Sequence, residues 1–168
     1  MPRLDPSLIP SDSTLPLTCQ VTDLSVYINE ADGDCFTYPT RFTLGGQSSD
    51  KPDLQGPALD DSVELIHATF NVEVVPATDK SLREQADAYL KNFSVLDFAT
   101  FIWTQVPVGS EAGLIVEPVP AMLSYRIIFV QHNGHLFRLM YWPVDVFEAQ
   151  TDLDELTQTA LGSFVFTR

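Results

Sequence analysis

The sequence predicts an α+β fold, with a largely antiparallel sheet of about six or seven strands sandwiched between helices. Strand-like runs follow one another hairpin by hairpin, and they do not alternate with helices as they would in a parallel sheet. Two segments have the apolar spacing of an amphipathic helix. Residues 125–142 form two apolar-rich runs joined by Asn133-Gly134, and because both faces of this hairpin are mostly apolar, each face needs a covering layer.

Length and charge limit the class of protein. A chain of 168 residues fits one domain that buries about 70% of its unfolded surface. We predict a Pro/Ser/Thr-rich tether over residues 1–22 and a single domain over residues 23–168. The net charge of −14, from 9 basic and 23 acidic residues, argues against nucleic acid as a partner, because such binding needs clustered Lys and Arg. No run of about 18 apolar residues is present, so direct membrane insertion is not expected.

The two cysteines, Cys19 and Cys35, allow two interpretations. A disulfide between them would close a loop of about 16 residues, which stabilises a fold by about 3 kcal/mol in an oxidising compartment. The alternative is two buried free thiols. The pair matches no zinc motif, since a tetrahedral site needs further Cys or His ligands nearby.

Residues 25–45 predict two or three short strands. The first leads into a turn rich in Asn, Asp and Gly, and Pro39 ends or bends the next. The acidic residues of this turn, Glu30, Asp32 and Asp34, lack the ligand spacing of an EF-hand loop. We therefore interpret them as a solvated turn and not as a Ca²⁺ site.

Residues 45–62 carry no periodicity and are dense in Gly, Pro, Ser and Asp. Loops of this length are often functional, so a partner or ligand role and plain disorder or surface packing both remain open. The next segment, 63–75, alternates apolar and polar side chains. It predicts a strand with one buried face, near the sheet edge or along an open groove.

A helix follows this strand. Ser81 and Glu84 have the spacing of a capping box, which marks the helix start. Asp87 and Lys91 form an i, i+4 pair on the outer face. The inner face is an apolar stripe that packs on the sheet, made of Leu82, Ala86, Tyr89, Leu90 and Phe93.

The second half of the chain adds strands and one helix. We predict strands over 99–106 and 113–116, with a hairpin loop, 107–111, between them. A second helix follows the central hairpin, and Gly162 ends it before a last strand, 163–166, returns to the sheet. That helix has Thr151 or Asp152 as its N-cap and an apolar stripe of Leu153, Leu156, Ala160 and Leu161.

The tip of the central hairpin places two histidines opposite each other. A two-residue Asn-Gly turn pairs His132 with His135 at a Cβ separation of about 5 Å, close enough to share a metal ion. The sequence supplies no third or fourth ligand, so exposed histidines beside a turn are the alternative. We predict no metal site, and His132 and His135 are the candidate ligands if one exists.

Two arginines, Arg126 and Arg138, lie within the apolar strands of this hairpin. A guanidinium in such a place needs an acceptor, because burying an unpaired charge is costly. A structural salt bridge and a contact with an anionic ligand are the two alternatives.

The sequence contains no catalytic motif, so we predict neither an enzyme nor a cofactor. Ser110 lies in GSEAG, which is not the G-x-S-x-G of a nucleophile elbow. A pocket between sheet and helix is the candidate ligand site if a small molecule or lipid is bound. Its aromatic walls would be Trp103, Tyr125, Phe129 and Trp142.

Three segments resemble, in their order, the PsbP-like superfamily. The first has the pattern Y-x-N…G-x-x-F-x-Y-P, the second is the hairpin with its Asn-Gly turn, and the third is a helix ending in S-F-x-F. In this sequence they are Tyr27-Ile28-Asn29-Glu30 with Gly33 and Cys35-Phe36-Thr37-Tyr38-Pro39, then Leu136-Phe137-Arg138-Leu139, then Gly162-Ser163-Phe164-Val165-Phe166. Together with the strand–helix–strand order between them, they cover about residues 25–168.

The resemblance implies the PsbP-like α/β/α sandwich, shared with Mog-type Ran-binding proteins and bacterial lipoproteins, and a mostly non-enzymatic role. It implies an extrinsic accessory subunit that docks on protein subunits of a larger membrane-associated complex, electron-transport complexes included, on the extracytoplasmic (periplasmic) side. A small-molecule or lipid carrier is the alternative function, and the cytoplasm is the alternative location, since residues 1–18 lack the apolar segment of a secretory signal. The chain has only three lysines, far fewer than the photosynthetic members, which argues against PsbP-type docking on an acidic complex.

Overall fold

The fold is α+β, as predicted, and sheet dominates it. A computed structural model describes Cys19 and residues 23–45, 52–59, 66–93 and 101–167. Within these residues the chain forms a seven-stranded antiparallel sheet, a three-stranded sheet and two α-helices. The strands are β1 (Ser25–Asn29), β2 (Asp34–Tyr38), β3 (Thr43–Gly45), β4 (Asp53–Ala58), β5 (His67–Pro76), β6 (Ile102–Val108), β7 (Glu111–Val119), β8 (Tyr125–His132), β9 (His135–Trp142) and β10 (Val165–Phe166). The helices are α1 (Leu82–Leu90) and α2 (Gln150–Ser163), the latter preceded by a 3-10 turn at Phe147–Ala149.

The large sheet is organised around the β8–β9 hairpin. Its strand order is β3-β4-β5-β9-β8-β7-β6, so both hairpin strands are interior. Asn133 and Gly134 form the turn with φ values of 44° and 79°, a conformation that Gly and Asn tolerate best. The predicted register is confirmed, because the Cα pairing places His132 opposite His135 and continues to Arg126 opposite Tyr141.

Alternate residues of this hairpin enter two separate cores. One side packs with α2 and the small sheet in the larger core, through Ile128, Val130, Phe137, Leu139 and Tyr141. The other side packs with α1 in the second core, through Ile127, Phe129 and Leu136. The two helices therefore cover opposite faces of the large sheet, which explains why neither face of the hairpin is polar.

The small sheet closes the larger core. Its middle strand is β2, between β1 and β10, and all of β2 is buried. The ring of Phe36 lies 5.3 Å from that of Phe70 on the large sheet and 5.8 Å from that of Phe164. β10 pairs with β2 of the small sheet, so the prediction that the last strand returns to the large sheet is wrong. The sulfur atoms of Cys19 and Cys35 are bonded, which ties residue 19 to the same strand.

The predicted long loop is wrong over residues 53–58, which form β4. This strand pairs with β3 on one side and β5 on the other. The parts of the predicted loop at 46–51 and 60–62 lie outside the described residues, as does the predicted tether over 1–22 except for Cys19. Because β4 and β3 lie outside it, β5 is third from the sheet edge. Of the two predicted places for this strand, the one near the edge is wrong, whereas Val75 and Pro76 at its end do line a cavity.

The β6–β7 turn is shorter than predicted. Pro107 pairs with Ala112, and the strands continue until only Gly109 and Ser110 remain between them. The predicted loop at 107–111 is therefore wrong in extent. Pro107 is tolerated because β6 is an edge strand, where a missing backbone donor removes no ladder bond. The first residues of two predicted strands, 63–65 and 99–100, lie outside the described residues.

The start of α1 is confirmed in detail. The Glu84 N–H donates to the Ser81 hydroxyl at 3.3 Å, and the Ser81 N–H donates to the Glu84 carboxylate at 2.9 Å. The Ser81 hydroxyl also donates to the Glu84 carboxylate, at 2.7 Å, and this bond, together with the one from the Ser81 N–H, lowers the pKa of Glu84. The exposed i, i+4 pair is Arg83 with Asp87, at 3.1 Å, in place of the predicted pair of Asp87 with Lys91.

The ends of α2 differ from the prediction. The 3-10 turn leads directly into the helix, so its N-cap is Ala149, without a side-chain hydrogen bond, and neither Thr151 nor Asp152 caps it. The helix passes through Gly162 and ends at Ser163. The Ser163 hydroxyl donates to the Thr159 carbonyl, one helical turn earlier, at 2.7 Å.

We expect Gly109→Ala to destabilise the domain by about 2 kcal/mol and Gly134→Ala by about 1 kcal/mol. Both glycines have positive φ, 57° and 79°. A Cβ on Gly109 would lie 2.9 Å from the carbonyl oxygen of Phe164, whereas a Cβ on Gly134 would meet nothing within 4 Å. Urea unfolding of both variants checks the difference, and equal losses would contradict the close approach of the β6–β7 turn to β10.

Candidate functional site

The tip of the central hairpin is a packed turn. His132 Nδ1 lies 2.8 Å from Oε1 of Glu111 on β7, and the His132 ring stacks on Phe166 with 4.2 Å between ring centroids. The ring of His135 lies 6.5 Å from that of Phe137. Within the part of the chain that the structure describes, no group of three or more His, Cys, Asp and Glu side chains could hold a metal ion. The two candidate ligands therefore receive no additional ligand there.

The four aromatic residues predicted to line a pocket are not gathered around one cavity. Phe129 is fully buried in the second core. Trp103 lies under the Arg83 guanidinium, whose carbon is 3.7 Å from the ring centroid. Tyr125 and Trp142 pack against each other with 5.3 Å between centroids. These side chains fill the second core and its rim, and none of them lines the cavity found beside α1.

A cavity of about 280 Å³ lies between α1 and the strands β5 and β9; we call it the α1 cavity. It lies near the hairpin turn, where the Ala77 N–H donates to the Gly134 carbonyl at 2.8 Å. Its apolar wall is made of Val75, Pro76, Ala88, Tyr89 and Leu136. Its polar wall is made of Thr78, Lys80, Gln85, Asn92 and Arg138.

Arg138 places a cation in the wall of the α1 cavity. Its Nη2 donates to Oε2 of Glu73 at 2.9 Å, and its guanidinium carbon lies 4.2 Å from the centroid of the Tyr89 ring. Burial raises the pKa of the Tyr89 phenol, so the Tyr89 side chain stays uncharged at neutral pH. Arg126 similarly donates to Glu117 at 2.6 Å. The prediction of structural salt bridges for the two hairpin arginines is confirmed.

Asp34 is a buried carboxyl group at the start of β2. It has no exposed surface, and neither of its oxygens has a donor among the described residues. The side-chain amide of Asn29 donates to Asp32 at 2.8 Å. Burial, and to a smaller extent the charge of Asp32, raise the pKa of Asp34 to about 7. Glu30 is exposed, as the interpretation of a solvated turn expects, but that interpretation is wrong for Asp34, which is buried.

The end of the sheet opposite the hairpin turn exposes two large apolar side chains. Met122 is 99% exposed and Phe147 is 87% exposed. Each lies two residues from a junction in which the Ser124 N–H and hydroxyl donate to the two carboxylate oxygens of Asp145, both at 3.1 Å. We call the surface formed by Met122, Ser124, Asp145, Phe147 and Glu148 the loop end.

The segment that contains Asp145, Phe147 and Glu148 is acidic. Residues 139–167 contain five acidic residues and no Lys or Arg. Arg41 reaches over from the β2–β3 connection and binds Asp152, at 2.6 Å, and Glu155. Three carboxylates of this segment pair with no cation among the described residues: Asp145, Glu148 and Asp154. The exposed Phe147 is therefore flanked in the chain by two such carboxylates, Asp145 and Glu148.

Comparisons with known proteins address the fold and leave the function open. No family model matches the sequence, and no curated protein matches it. A crystal structure from Bacteroides thetaiotaomicron VPI-5482, at 1.50 Å resolution, is similar with a TM-score of 0.55 and 9% sequence identity. The similarity covers 88% of this chain and 50% of that chain, so this chain spans half the length of the matched protein. At this identity the likeness shows the fold alone.

No helix among the described residues is long and apolar enough to cross a membrane.

Proposed function

We propose that this protein is a non-enzymatic accessory subunit that docks on a basic surface of a larger membrane-associated protein assembly. The observation that carries the proposal is the loop end, where Met122 and Phe147 are almost fully exposed near Asp145 and Glu148, two carboxylates that pair with no cation among the described residues. An apolar centre with a charged rim is the arrangement of a protein–protein contact. The loop end is the contact face.

The chemistry of the loop end defines the partner. Phe and Met are enriched in interface centres, where a few desolvated side chains carry most of the binding energy. Asp145 and Glu148 flank Phe147 in the sequence, and complementary charge at a rim accelerates association and selects the partner. The partner surface is therefore a basic protein surface with an apolar depression that accepts an aromatic ring.

The disulfide supports an extracytoplasmic location. Cys19 and Cys35 are bonded and almost fully buried, at 3% and 0% exposure. Structural disulfides persist in oxidising compartments and are rare in the cytosol. A subunit on the periplasmic face of a membrane assembly meets this condition.

We also infer the finer architecture, a PsbP-like α/β/α sandwich. In its support, α1 and α2 cover opposite faces of one antiparallel sheet, and the β8–β9 hairpin precedes the closing helix and strand in the order of that superfamily. Accessory and binding roles are common in that superfamily, in agreement with the proposed docking role.

Phe147→Ser is expected to weaken binding to the partner by about tenfold or more, because it removes an aromatic side chain from the contact centre. The protein is purified with its native partners from the membrane of the source organism, and the complex is then re-formed with purified variants. Stoichiometric co-purification of a basic protein with the natural sequence and its loss with Phe147→Ser are the expected results.

Glu148→Lys is expected to slow association and to reduce its dependence on salt.

Ile102→Ser is the matched control for this experiment. Ile102 is 63% exposed and is not part of the loop end; it lies on edge strand β6, with β7 between it and β8. Its replacement removes a comparable exposed apolar side chain and should leave binding unchanged. Equal retention of the natural protein and Phe147→Ser, or an equal loss with Ile102→Ser, would overturn the loop end as the contact face.

A further inference from the structure

We propose that the α1 cavity is a binding site for a small organic carboxylate with an apolar or aromatic body. This site is separate from the loop end, since it lies beside the hairpin turn at the opposite end of the large sheet. Its volume, about 280 Å³, is near the lower limit of ligand pockets, which range over about 300–1,000 Å³. A compact ligand fits that volume.

The charges in the cavity wall favour an anion. Lys80 and Arg138 line the cavity, and no carboxylate among the described residues does, although the whole chain carries a net charge of −14. Glu73, which is not among the described lining residues, binds Arg138 at Nη2. A guanidinium has five N–H donors; the contact with Glu73 is made at Nη2, and the Arg138 side chain keeps 12% of its surface exposed. Arg138 therefore keeps donor capacity for a second carboxylate.

The guanidinium is held in position before any ligand arrives. It lies over the Tyr89 ring, 4.2 Å from the centroid, and its salt bridge to Glu73 fixes the other side. A planar group that is stacked and anchored loses little conformational freedom on binding a ligand. The geometry favours recognition of a planar carboxylate over a spherical anion.

The loop that carries Lys80 is also fixed. Gln85, only 6% exposed, donates through Nε2 to the Lys80 carbonyl at 2.9 Å and to Oε1 of Gln131 at 3.1 Å. Its Oε1 accepts the Thr78 N–H at 2.9 Å. One buried amide thus connects α1, the Lys80 loop and β8. The site is formed in advance, which lowers the entropy lost when a ligand binds.

The apolar wall defines the rest of the ligand. Val75, Ala88 and Leu136 line the cavity together with the Tyr89 ring. These groups favour a hydrocarbon or aromatic body of a few carbons, because burying it removes apolar surface from water. Benzoate combines such a body with a carboxylate, and benzamide is its uncharged counterpart of the same shape.

The test is an NMR titration of the full chain, with its disulfide intact, using benzoate and benzamide as probes. Benzoate is expected to give saturable shifts in the amide signals of residues 78–92 and 136–138, and benzamide to bind about tenfold more weakly, the loss expected when a charge-assisted hydrogen bond is removed. Equal binding of the two probes would overturn the carboxylate class. Absence of saturable shifts with benzoate would overturn the site.

Two variants with exposed side chains test the location without disturbing the core. Ala88→Trp fills the cavity and is expected to abolish the benzoate shifts, while Lys80→Gln is expected to weaken binding about threefold. Lys91→Gln, an exposed lysine just after α1 that does not line the cavity, is the matched control and should leave binding unchanged. Benzoate binding that survives Ala88→Trp, in a protein with an unaltered unfolding curve, would place the ligand elsewhere and overturn the proposal.

Discussion

Asp34→Asn is expected to stabilise the domain, relative to the natural protein, more at high pH than at low pH. The difference in unfolding free energy between the two proteins should shift in favour of Asp34→Asn by about 4 kcal/mol between pH 4 and a pH above 7. Asp34 is fully buried, and burial raises its pKa from 3.8 to about 7, with a smaller contribution from Asp32. A carboxyl group whose pKa is higher in the folded state favours folding while it is protonated. That stability is fully present below about pH 4 and is lost as the pH rises through about 7.

The measurement is the difference in unfolding free energy between Asp34→Asn and the natural protein, at several values between about pH 4 and pH 8. Taking the difference removes the contribution of all other titrating groups, because they are common to both proteins. Asp154→Asn, at an exposed position on α2, is the control and should show a small difference at every pH. A difference for Asp34→Asn that does not change with pH would mean that this carboxyl group is not protonated near neutrality.

Replacing both Cys19 and Cys35 by Ala is expected to lower the unfolding free energy by about 3 kcal/mol. The disulfide closes a loop with a sequence separation of 16, and its loss restores conformational freedom to the unfolded chain. Equilibrium urea unfolding of the natural and double-variant proteins measures the loss.

Reduction gives an independent measurement of the same quantity. Adding dithiothreitol to the natural protein at equilibrium should lower its stability by the same amount. It should leave the Cys19→Ala/Cys35→Ala protein unchanged, since that protein has no cysteine left. A natural protein whose unfolding curve is insensitive to the reductant would contradict a stabilising role for the bond.

Local signals in the sequence were sufficient to predict several elements. The Asn133-Gly134 turn defined the register of the central hairpin, because a two-residue turn leaves only one pairing. The Ser81/Glu84 capping box defined the start of α1 for a similar reason, since its hydrogen bonds involve only neighbouring residues. The apolar character of both hairpin faces predicted helices on each side of the sheet.

Elements that depend on distant partners were missed. β4 has the sequence DLQGPA, in which Gly56 and Pro57 disfavour a strand, and it forms because β3 and β5 pair with it on both sides. In the same way, α2 continues through Gly162 because tertiary packing of its apolar face outweighs the low helix propensity of one glycine.

The α1 cavity was only partly predictable. Its lining comes from β5, α1, β9 and the Lys80 loop, and no sequence pattern connects these segments. The one signal was Arg138, a cation inside an apolar strand, for which a ligand contact was one of two alternatives. The aromatic residues gave a misleading signal, since Phe129 is used entirely for core packing. Phe147 at the loop end lies between two predicted elements, where periodicity gives no information on exposure.

The small sheet brings both ends of the described chain to one strand. Cys19 is bonded to Cys35 of β2, and the Thr167 N–H donates to the Gly33 carbonyl, next to β2, at 2.7 Å. Cys19 and Thr167 therefore lie at adjacent positions beside β2. Tension applied between these two residues would load the short β2–β10 ladder first and spare the seven-stranded sheet, so the α1 cavity and the loop end would keep their shape while the domain is pulled.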